Sequence, residues 1–135
     1  MSKYALIVNE DPTVENAVRE HTRSVGIRTV WASSPEEALK KASENPPAVV
    51  VLDLMSPRTR GLALLRRLKA EGHPANRAPI IGHVSHTMHE LKTRAHDLGC
   101  DFVFTRSVLA KQIGSILREL GVTAATPVSK PPKDT

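Results

Sequence analysis

Short apolar segments alternate along the chain with longer segments in which apolar residues recur every three or four positions. The short segments are rich in β-branched residues, which is typical of β-strands. The longer ones place their apolar residues on one face of a helix. The predicted strands are residues 4–8, 27–31, 48–52, 79–84 and 102–104, and a helix is predicted after each of them.

Local signals for helix ends agree with this alternation. Asp11, Ser34 and Thr59 each stand where a helix should begin, and a proline follows the first two of them at the first helical position. Glycines follow the helical segments where a left-handed C-terminal cap is expected. The predicted capping glycines are Gly26, Gly72, Gly99 and Gly121.

The regular alternation of strand and helix predicts an α/β fold, with a parallel sheet covered by helices on both faces. Residues 48–52 and 79–81 are apolar without interruption, as expected of central strands that are buried on both sides. Residues 122–135 lack this periodicity and contain three prolines, which is typical of a disordered tail. We therefore expect one folded domain over residues 1–121, with no output domain in this chain.

Composition narrows the class of protein further. A length of 135 residues with 40% hydrophobic side chains supports one core and excludes a multidomain enzyme. Cys100 is the only cysteine, so a disulfide framework is excluded, and we expect this small residue to be buried. Apolar runs are far shorter than the roughly 20 residues of a membrane span, and no signal peptide is evident. These features predict a soluble, cytoplasmic protein without a membrane partner.

The net charge of +5 is concentrated in one segment. Residues 58–77 contain six Arg or Lys residues against Glu71, a local charge of +5 (six minus one). Such a patch suits an acidic partner or nucleic acid, although charge runs are usually solvated faces. Aromatic residues make up only 3% of the chain, too few for a base-stacking platform, and no DNA-reading module has room. Nucleic-acid binding is therefore disfavoured.

Polar and charged residues follow the predicted strands at their carboxyl ends. Because ligands of open α/β sheets bind outside these ends, we expect the residues to share one site. Carboxylates at this density suit Mg²⁺, and a neighbouring cation would complement phosphoryl charge. The residues are Asn9, Glu10 and Asp11 after the first strand, Asp53 after the third, Ser85 after the fourth and Arg106 after the fifth.

Three motifs at these positions are similar to those of a known family. They are ALIVNEDP at residues 5–12, VVVLDLMSP at 49–57 followed by Gly61, and PII at 79–81. With them the chain resembles a two-component response-regulator receiver domain, of the stand-alone chemotaxis type, over about residues 3–121. The resemblance implies a flavodoxin-like, doubly wound fold with five helices around a five-stranded parallel sheet in the order 2-1-3-4-5.

The resemblance also implies roles for individual residues. Asp53 matches the aspartate that accepts a phosphoryl group from a sensor histidine kinase or a phosphotransfer protein. Mg²⁺ would be bound by Glu10, Asp53 and the backbone carbonyl of Met55, and more weakly by Asn9, which stands where the family is usually acidic. Arg106 matches the family's lysine, which complements the phosphoryl charge.

The family's hydroxyl residue, which contacts the phosphoryl group, has two candidate positions in this chain. Val84 occupies the matching position by count from Pro79, and Ser85 is next to it. Either the hydroxyl is absent or a shift of one residue places Ser85 there.

Histidines at positions 83, 86 and 89 recur every three residues. This spacing invites a zinc site, but His83 belongs to a predicted strand and the other two to the helix after it. Their side chains need not converge, so a solvated surface or a pH-sensitive patch is favoured over metal binding.

The residues therefore favour a signalling domain over an enzyme. No glycine-rich phosphate loop follows the first strand, and Met55 stands where a haloacid-dehalogenase-type phosphatase needs a second aspartate. We expect a response regulator that is phosphorylated on Asp53 and signals through a partner protein. The alternative is a pseudo-receiver, an interaction module that acts without phosphorylation.

Overall fold

The structure is a computed structural model that describes residues 4–57, 60–85 and 89–119, without the side chains of residues 24 and 25. The predicted tail at 122–135 and Gly121 lie outside the described residues. Within these ranges, strands alternate with helices along the chain. The strands are β1 (Tyr4–Val8), β2 (Arg28–Trp31), β3 (Val49–Asp53), β4 (Ile80–Val84) and β5 (Phe102–Thr105), and the helices are α1 (Pro12–Val25), α2 (Pro35–Glu44), α3 (Gly61–Leu68), α4 (His89–Asp97) and α5 (Arg106–Glu119).

The strands form one parallel sheet in the order β2-β1-β3-β4-β5, which confirms the fold and the strand order implied by the motifs. Every residue of β1, β3 and β4 is buried, as their uninterrupted apolar character predicts. One core cluster covers each face of the sheet. Leu52 and Val84 belong to the cluster that includes α2 and α3, and Val51 and Ile81 belong to the cluster that includes α1 and α5.

The predicted caps of α1 and α2 are present. The Asp11 carboxylate accepts hydrogen bonds from the backbone N–H groups of Thr13 and Val14, at 2.9 and 3.2 Å. Gly26 ends α1 in the left-handed conformation, with φ of 77°. Ser34 caps α2 by accepting from the Glu37 N–H at 3.1 Å. Local hydrogen bonding therefore accounts for these helix ends.

The ends of α3 differ from the predicted ones. The predicted start, Thr59, lies outside the described residues, and α3 begins at Gly61 after Arg60, which has a positive φ of 46°. The prediction that Gly72 caps this helix is wrong, because α3 ends at Leu68. The chain then continues through successive tight turns up to Ala78, each closed by a hydrogen bond between residues three apart. Gly72 lies in one of these turns and has a positive φ of 91°.

Cys100 is buried beneath the sheet, as expected, and burial raises the pKa of its thiol to about 11. None of the helices in the described ranges combines the length and the apolar character that crossing a bilayer would require.

Candidate phosphoacceptor site

A cleft of about 190 Å³ opens at the carboxyl edge of the sheet, where the predicted site residues meet. The parallel topology produces this meeting, because it places the loops after β1, β3, β4 and β5 at one edge. Asn9 lies just outside the cleft and lines a neighbouring groove with Glu10 and Trp31. The cleft is lined by Glu10, Asp11, Pro12, Asp53, Met55, Ser56, His83, Ser85 and Arg106.

Asp53 forms the floor of the cleft at the end of β3 and is only 5% exposed. One carboxylate oxygen, Oδ1, accepts hydrogen bonds from the N–H groups of Met55 at 2.9 Å and Ser56 at 3.1 Å. The other, Oδ2, accepts from the Glu10 N–H at 3.3 Å. Backbone groups from two loops therefore hold this carboxylate in one orientation, and a buried charge of this kind needs such partners.

Glu10 brings a second carboxylate to the cleft. The Ser56 hydroxyl donates a hydrogen bond to Glu10 Oε1 and so connects the loop after β3 to the loop after β1. Met55 also lines the cleft and is 40% exposed. Sequence reasoning did not single out Ser56, although its position three residues after the phosphoacceptor placed it in the same loop.

Gly61 allows the loop after β3 to fold tightly against Asp53. A Cβ atom at this position would lie 2.7 Å from the Asp53 carbonyl oxygen and 2.9 Å from Leu54 Cα. Both distances are too short for any side chain, and both partners are backbone atoms that cannot turn away. A glycine is therefore required at the entry to α3 to keep the phosphoacceptor loop in place.

Asn9 is part of a hydrogen-bonded network with Asp11 and His83. Its Nδ2 donates to the Asp11 carbonyl at 2.8 Å, and its Oδ1 accepts from the Asp11 N–H at 3.2 Å. The same Oδ1 lies 2.8 Å from His83 Nε2. The amide therefore shapes the loop after β1 and connects it to β4.

His83 also lines this cleft, whereas sequence reasoning considered it only within a histidine cluster and favoured a solvated surface or a pH-sensitive patch. It is 2% exposed and is the register partner of Asp53 on the adjacent strand. Burial lowers the pKa of its imidazole, and Arg106 acts in the same direction while the charges of Asp53 and Asp11 oppose them. The alternation of side chains along β4 could have revealed it, because it puts His83 on the same face as Ile81.

Among the described residues, His83 and His89 are not part of a common metal-binding cluster. His89 begins α4, and His86 lies outside the described residues. Among the residues that the structure describes, no group of three or more His, Cys, Asp and Glu side chains is arranged to hold a metal ion. The acidic residues that line the cleft are Glu10, Asp11 and Asp53, and the Asp11 carboxylate is engaged in the α1 cap and in an ion pair with Arg106.

Val84 and Ser85 have different surroundings. Val84 is 2% exposed and packs in the core cluster that contains Leu52, so its side chain points away from the cleft. Ser85 lines the cleft. Of the two candidate positions, only Ser85 brings a hydroxyl to the site.

Arg106 begins α5 and forms an ion pair with Asp11, with 2.7 Å between Nη1 and Oδ2. The pair lies on the wall of the cleft, where the Arg106 side chain is 43% exposed and that of Asp11 is 10% exposed. Positive charge is thus present at the cleft, and it is already paired with a carboxylate.

The described residues of the basic segment, from Arg60 to Arg77, do not line this cleft. Arg60, Arg66, Arg67 and Arg77 are exposed on and around α3, and Arg58 lies outside the described residues. Lys69 instead donates to the Ala78 carbonyl at 3.0 Å and pairs with Asp101 at 3.2 Å.

The chain is similar to known receiver proteins in sequence and in structure. Residues 5–118 match the family model described as the response regulator receiver domain. Transcriptional regulatory protein KdpE of Mycobacterium tuberculosis is 32% identical over 75% of this chain and 43% of its own length. The chain spans about half or less of the length of the curated relatives that it matches.

Solved structures show the same fold. Chemotaxis protein CheY4 of Vibrio cholerae superposes with a TM-score of 0.76 at 18% identity, covering 89% of this chain and 99% of its own. The receiver domain of the sensor histidine kinase PA1611 from Pseudomonas aeruginosa, which has a magnesium ion in its active-site cleft, gives 0.73 at 18% identity, over 90% and 99%. The family match over residues 5–118, the strand order and the acidic cleft lead to one conclusion: the chain is a response regulator with a receiver domain of the two-component signalling family.

Proposed function

We propose that Asp53 accepts a phosphoryl group from a histidine kinase or a phosphotransfer protein, and that the phosphorylated domain signals through a partner protein. The observation that carries this proposal is the Asp53 carboxylate itself. It lies at the floor of an open cleft and is oriented by three backbone N–H groups, next to a second carboxylate and a guanidinium. An oriented carboxylate with access to an incoming anion is what a phosphoacceptor needs.

The donor set fits Mg²⁺. This ion is typically held by one or two carboxylates and keeps several waters, and the cleft offers Glu10 and Asp53 within an open volume of about 190 Å³. We expect Mg²⁺ to be held by Glu10, Asp53 and the backbone carbonyl of Met55, with Asn9 as a weak ligand. When bound, the ion neutralises negative charge as the phosphodonor approaches. The magnesium ion in the cleft of the Pseudomonas aeruginosa receiver supports this assignment.

The chemical step is a transfer between two nucleophiles. A carboxylate oxygen of Asp53 forms a bond to phosphorus while the bond between phosphorus and the donor histidine nitrogen breaks. The products are an acyl phosphate on Asp53 and the donor's imidazole, whose nitrogen keeps the electron pair and takes up a proton from water. The Ser85 hydroxyl, which lines the cleft, would donate a hydrogen bond to a phosphoryl oxygen. Arg106 supplies positive charge, which the phosphoryl group has to share with Asp11.

Signalling follows from the change of charge at the cleft. A phosphoryl group adds negative charge beside Arg106 and Ser85, at the starts of α5 and of the loop after β4. We infer that this added charge shifts the equilibrium between two conformations of the surface formed by α4, β5 and α5. A partner protein then binds one of the two conformations preferentially.

Intact-protein mass spectrometry tests the proposal. The protein is incubated with Mg²⁺ and a small phosphodonor such as phosphoramidate, and wild type is compared with Asp53→Asn. We expect one phosphoryl adduct on wild type and none on the variant. Asp97→Asn, which removes an exposed carboxylate on α4, is the matched control and should retain the adduct. Failure of wild type to form an adduct, with candidate kinases as well, would favour a phosphorylation-independent interaction module.

A further inference from the structure

We propose that His83 is a positioning residue that holds the Asn9 amide oxygen away from the bound cation and thereby sets the affinity of the site for divalent metal ions. The inference rests on the proposed Mg²⁺ site, and it concerns a contact between β4 and the loop after β1. Its basis is the hydrogen-bond network of Asn9, in which every polar atom of the side chain has a partner.

The network determines which atom of the Asn9 amide faces His83. Nδ2 can only donate, and it points at the Asp11 carbonyl 2.8 Å away. Oδ1 can only accept, and the Asp11 N–H points at it from 3.2 Å. Exchanging the two atoms would put N–H against N–H and carbonyl against carbonyl, so the amide has a single favourable orientation. The atom 2.8 Å from His83 Nε2 is therefore the oxygen.

It follows that Nε2 of His83 carries a hydrogen and donates it to Asn9. This holds for the neutral ring with its proton on Nε2 and equally for the imidazolium, since both have an Nε2–H. The donor is held firmly, because His83 is 2% exposed and belongs to a strand paired on both sides.

The Asn9 oxygen consequently has no lone pair left for a cation. An amide oxygen has two lone pairs, and here the Asp11 N–H and the His83 N–H occupy both. To bind a metal ion, Asn9 must break one of these bonds. Breaking the bond to His83 leaves a buried N–H group without a partner, which is unfavourable. The contact therefore opposes metal binding by Asn9.

The test is a set of Mg²⁺ titrations monitored by calorimetry. Trp31 fluorescence gives a second signal, because Trp31 lines the groove beside Asn9 and Glu10. His83→Leu removes the donor and should lower the dissociation constant for Mg²⁺ at least threefold. His83→Gln retains an N–H donor and should stay closer to wild type. In an Asn9→Ala background the His83→Leu change should have no further effect, because the released oxygen is gone.

Several results would overturn the inference. An unchanged Mg²⁺ affinity in His83→Leu, or an equal change with and without Asn9, shows that His83 does not act through this amide. If wild type and variants bind Mg²⁺ equally and Asp53 is still phosphorylated, only the role of His83 fails. If none of them binds Mg²⁺, the proposed metal site fails with it.

The protonated nitrogen of His83 can be identified in the wild-type protein without metal, which does not require His83→Leu to fold. Nitrogen-15 NMR of the wild-type imidazole should show the hydrogen on Nε2. A neutral ring protonated on Nδ1 would contradict the proposed contact. Circular dichroism of each variant establishes that the fold is retained before its affinity is compared.

Discussion

Arg106 and Asp11 form an ion pair across the wall of the cleft, with 2.7 Å between Arg106 Nη1 and Asp11 Oδ2. The other oxygen of the same carboxylate, Oδ1, caps α1 by accepting from Thr13 and Val14. One side chain therefore fixes the start of α1 and engages the cation at the start of α5. A phosphoryl group on Asp53 would compete with Asp11 for this guanidinium, which distinguishes the site from one with an unpaired cation.

Asp11→Asn separates these two roles. Asn is as good an N-cap as Asp, so we expect the free energy of unfolding to fall by less than about 1 kcal/mol, whereas Asp11→Ala should cost about 1 kcal/mol more. Loss of the carboxylate releases Arg106, so Asp11→Asn should form the phosphoryl adduct faster than wild type. Urea denaturation and a time course by mass spectrometry measure the two effects. An adduct rate that is unchanged in Asp11→Asn and in Arg106→Ala would show that Arg106 does not contact the phosphoryl group.

Asn9→Asp should tighten Mg²⁺ binding several-fold. The second carboxylate oxygen replaces Nδ2, whose partner is the Asp11 carbonyl, and is repelled by that carbonyl. It therefore turns toward the cation, which it binds with a full negative charge, while the first oxygen accepts the hydrogen bond of His83. Calorimetric titration measures the change. Asn76→Asp adds the same charge in the turns before β4, at the opposite edge of the sheet, and should leave the affinity near that of wild type. Equal effects of the two variants would mean that only net charge matters.

Gly61→Ala should destabilise the domain by roughly 1–3 kcal/mol, as overpacking of a tight contact does. The added Cβ would lie 2.7 Å from the Asp53 carbonyl oxygen, so relief requires the phosphoacceptor loop to move. We therefore expect slower adduct formation together with a lower midpoint in urea. Gly72→Ala is the comparison, since its Cβ meets no atom within 4 Å and only the positive φ of 91° is unfavourable. We expect Gly72→Ala to lower the free energy of unfolding by about 1 kcal/mol and to leave phosphorylation normal.

Cys100 should be inert to thiol reagents in the native protein at neutral pH. Its thiol is buried and has a pKa of about 11, so the reactive thiolate is scarce. A raised pKa in the folded state stabilises the protein fully below the unfolded value of 9.0, and this contribution is lost as the pH rises toward 11. Urea denaturation between these pH values should show a decline in the free energy of unfolding, and this decline should be smaller in Cys100→Ala. Rapid labelling at pH 7 without denaturant would contradict the burial.

Much of the fold follows from local chemistry. The sequence identifies the capping residues Asp11, Ser34 and Gly26, because each forms its hydrogen bond with a backbone group at a helix end only two to four positions away. The end of α3 was not predicted correctly. The turns that follow α3 are connected by Lys69, which donates to the Ala78 carbonyl at the end of these turns and to Asp101 just before β5, and no pattern local to α3 predicts these contacts.

The sequence by itself determined the alternation of strands and helices, and with it the edge of the sheet where Glu10, Asp53, Ser85 and Arg106 meet. These residues follow directly from the strand ends, because parallel strands direct all their carboxyl ends to one edge. Only the tertiary structure decided which partners they have there. His83 Nε2 meets Asn9 Oδ1 across 74 positions of sequence, and Arg106 pairs with Asp11 across an even longer separation. Both contacts depend on the register that aligns His83 with Asp53 and on the approach of α5 to the start of α1, which are properties of the packed sheet and helices.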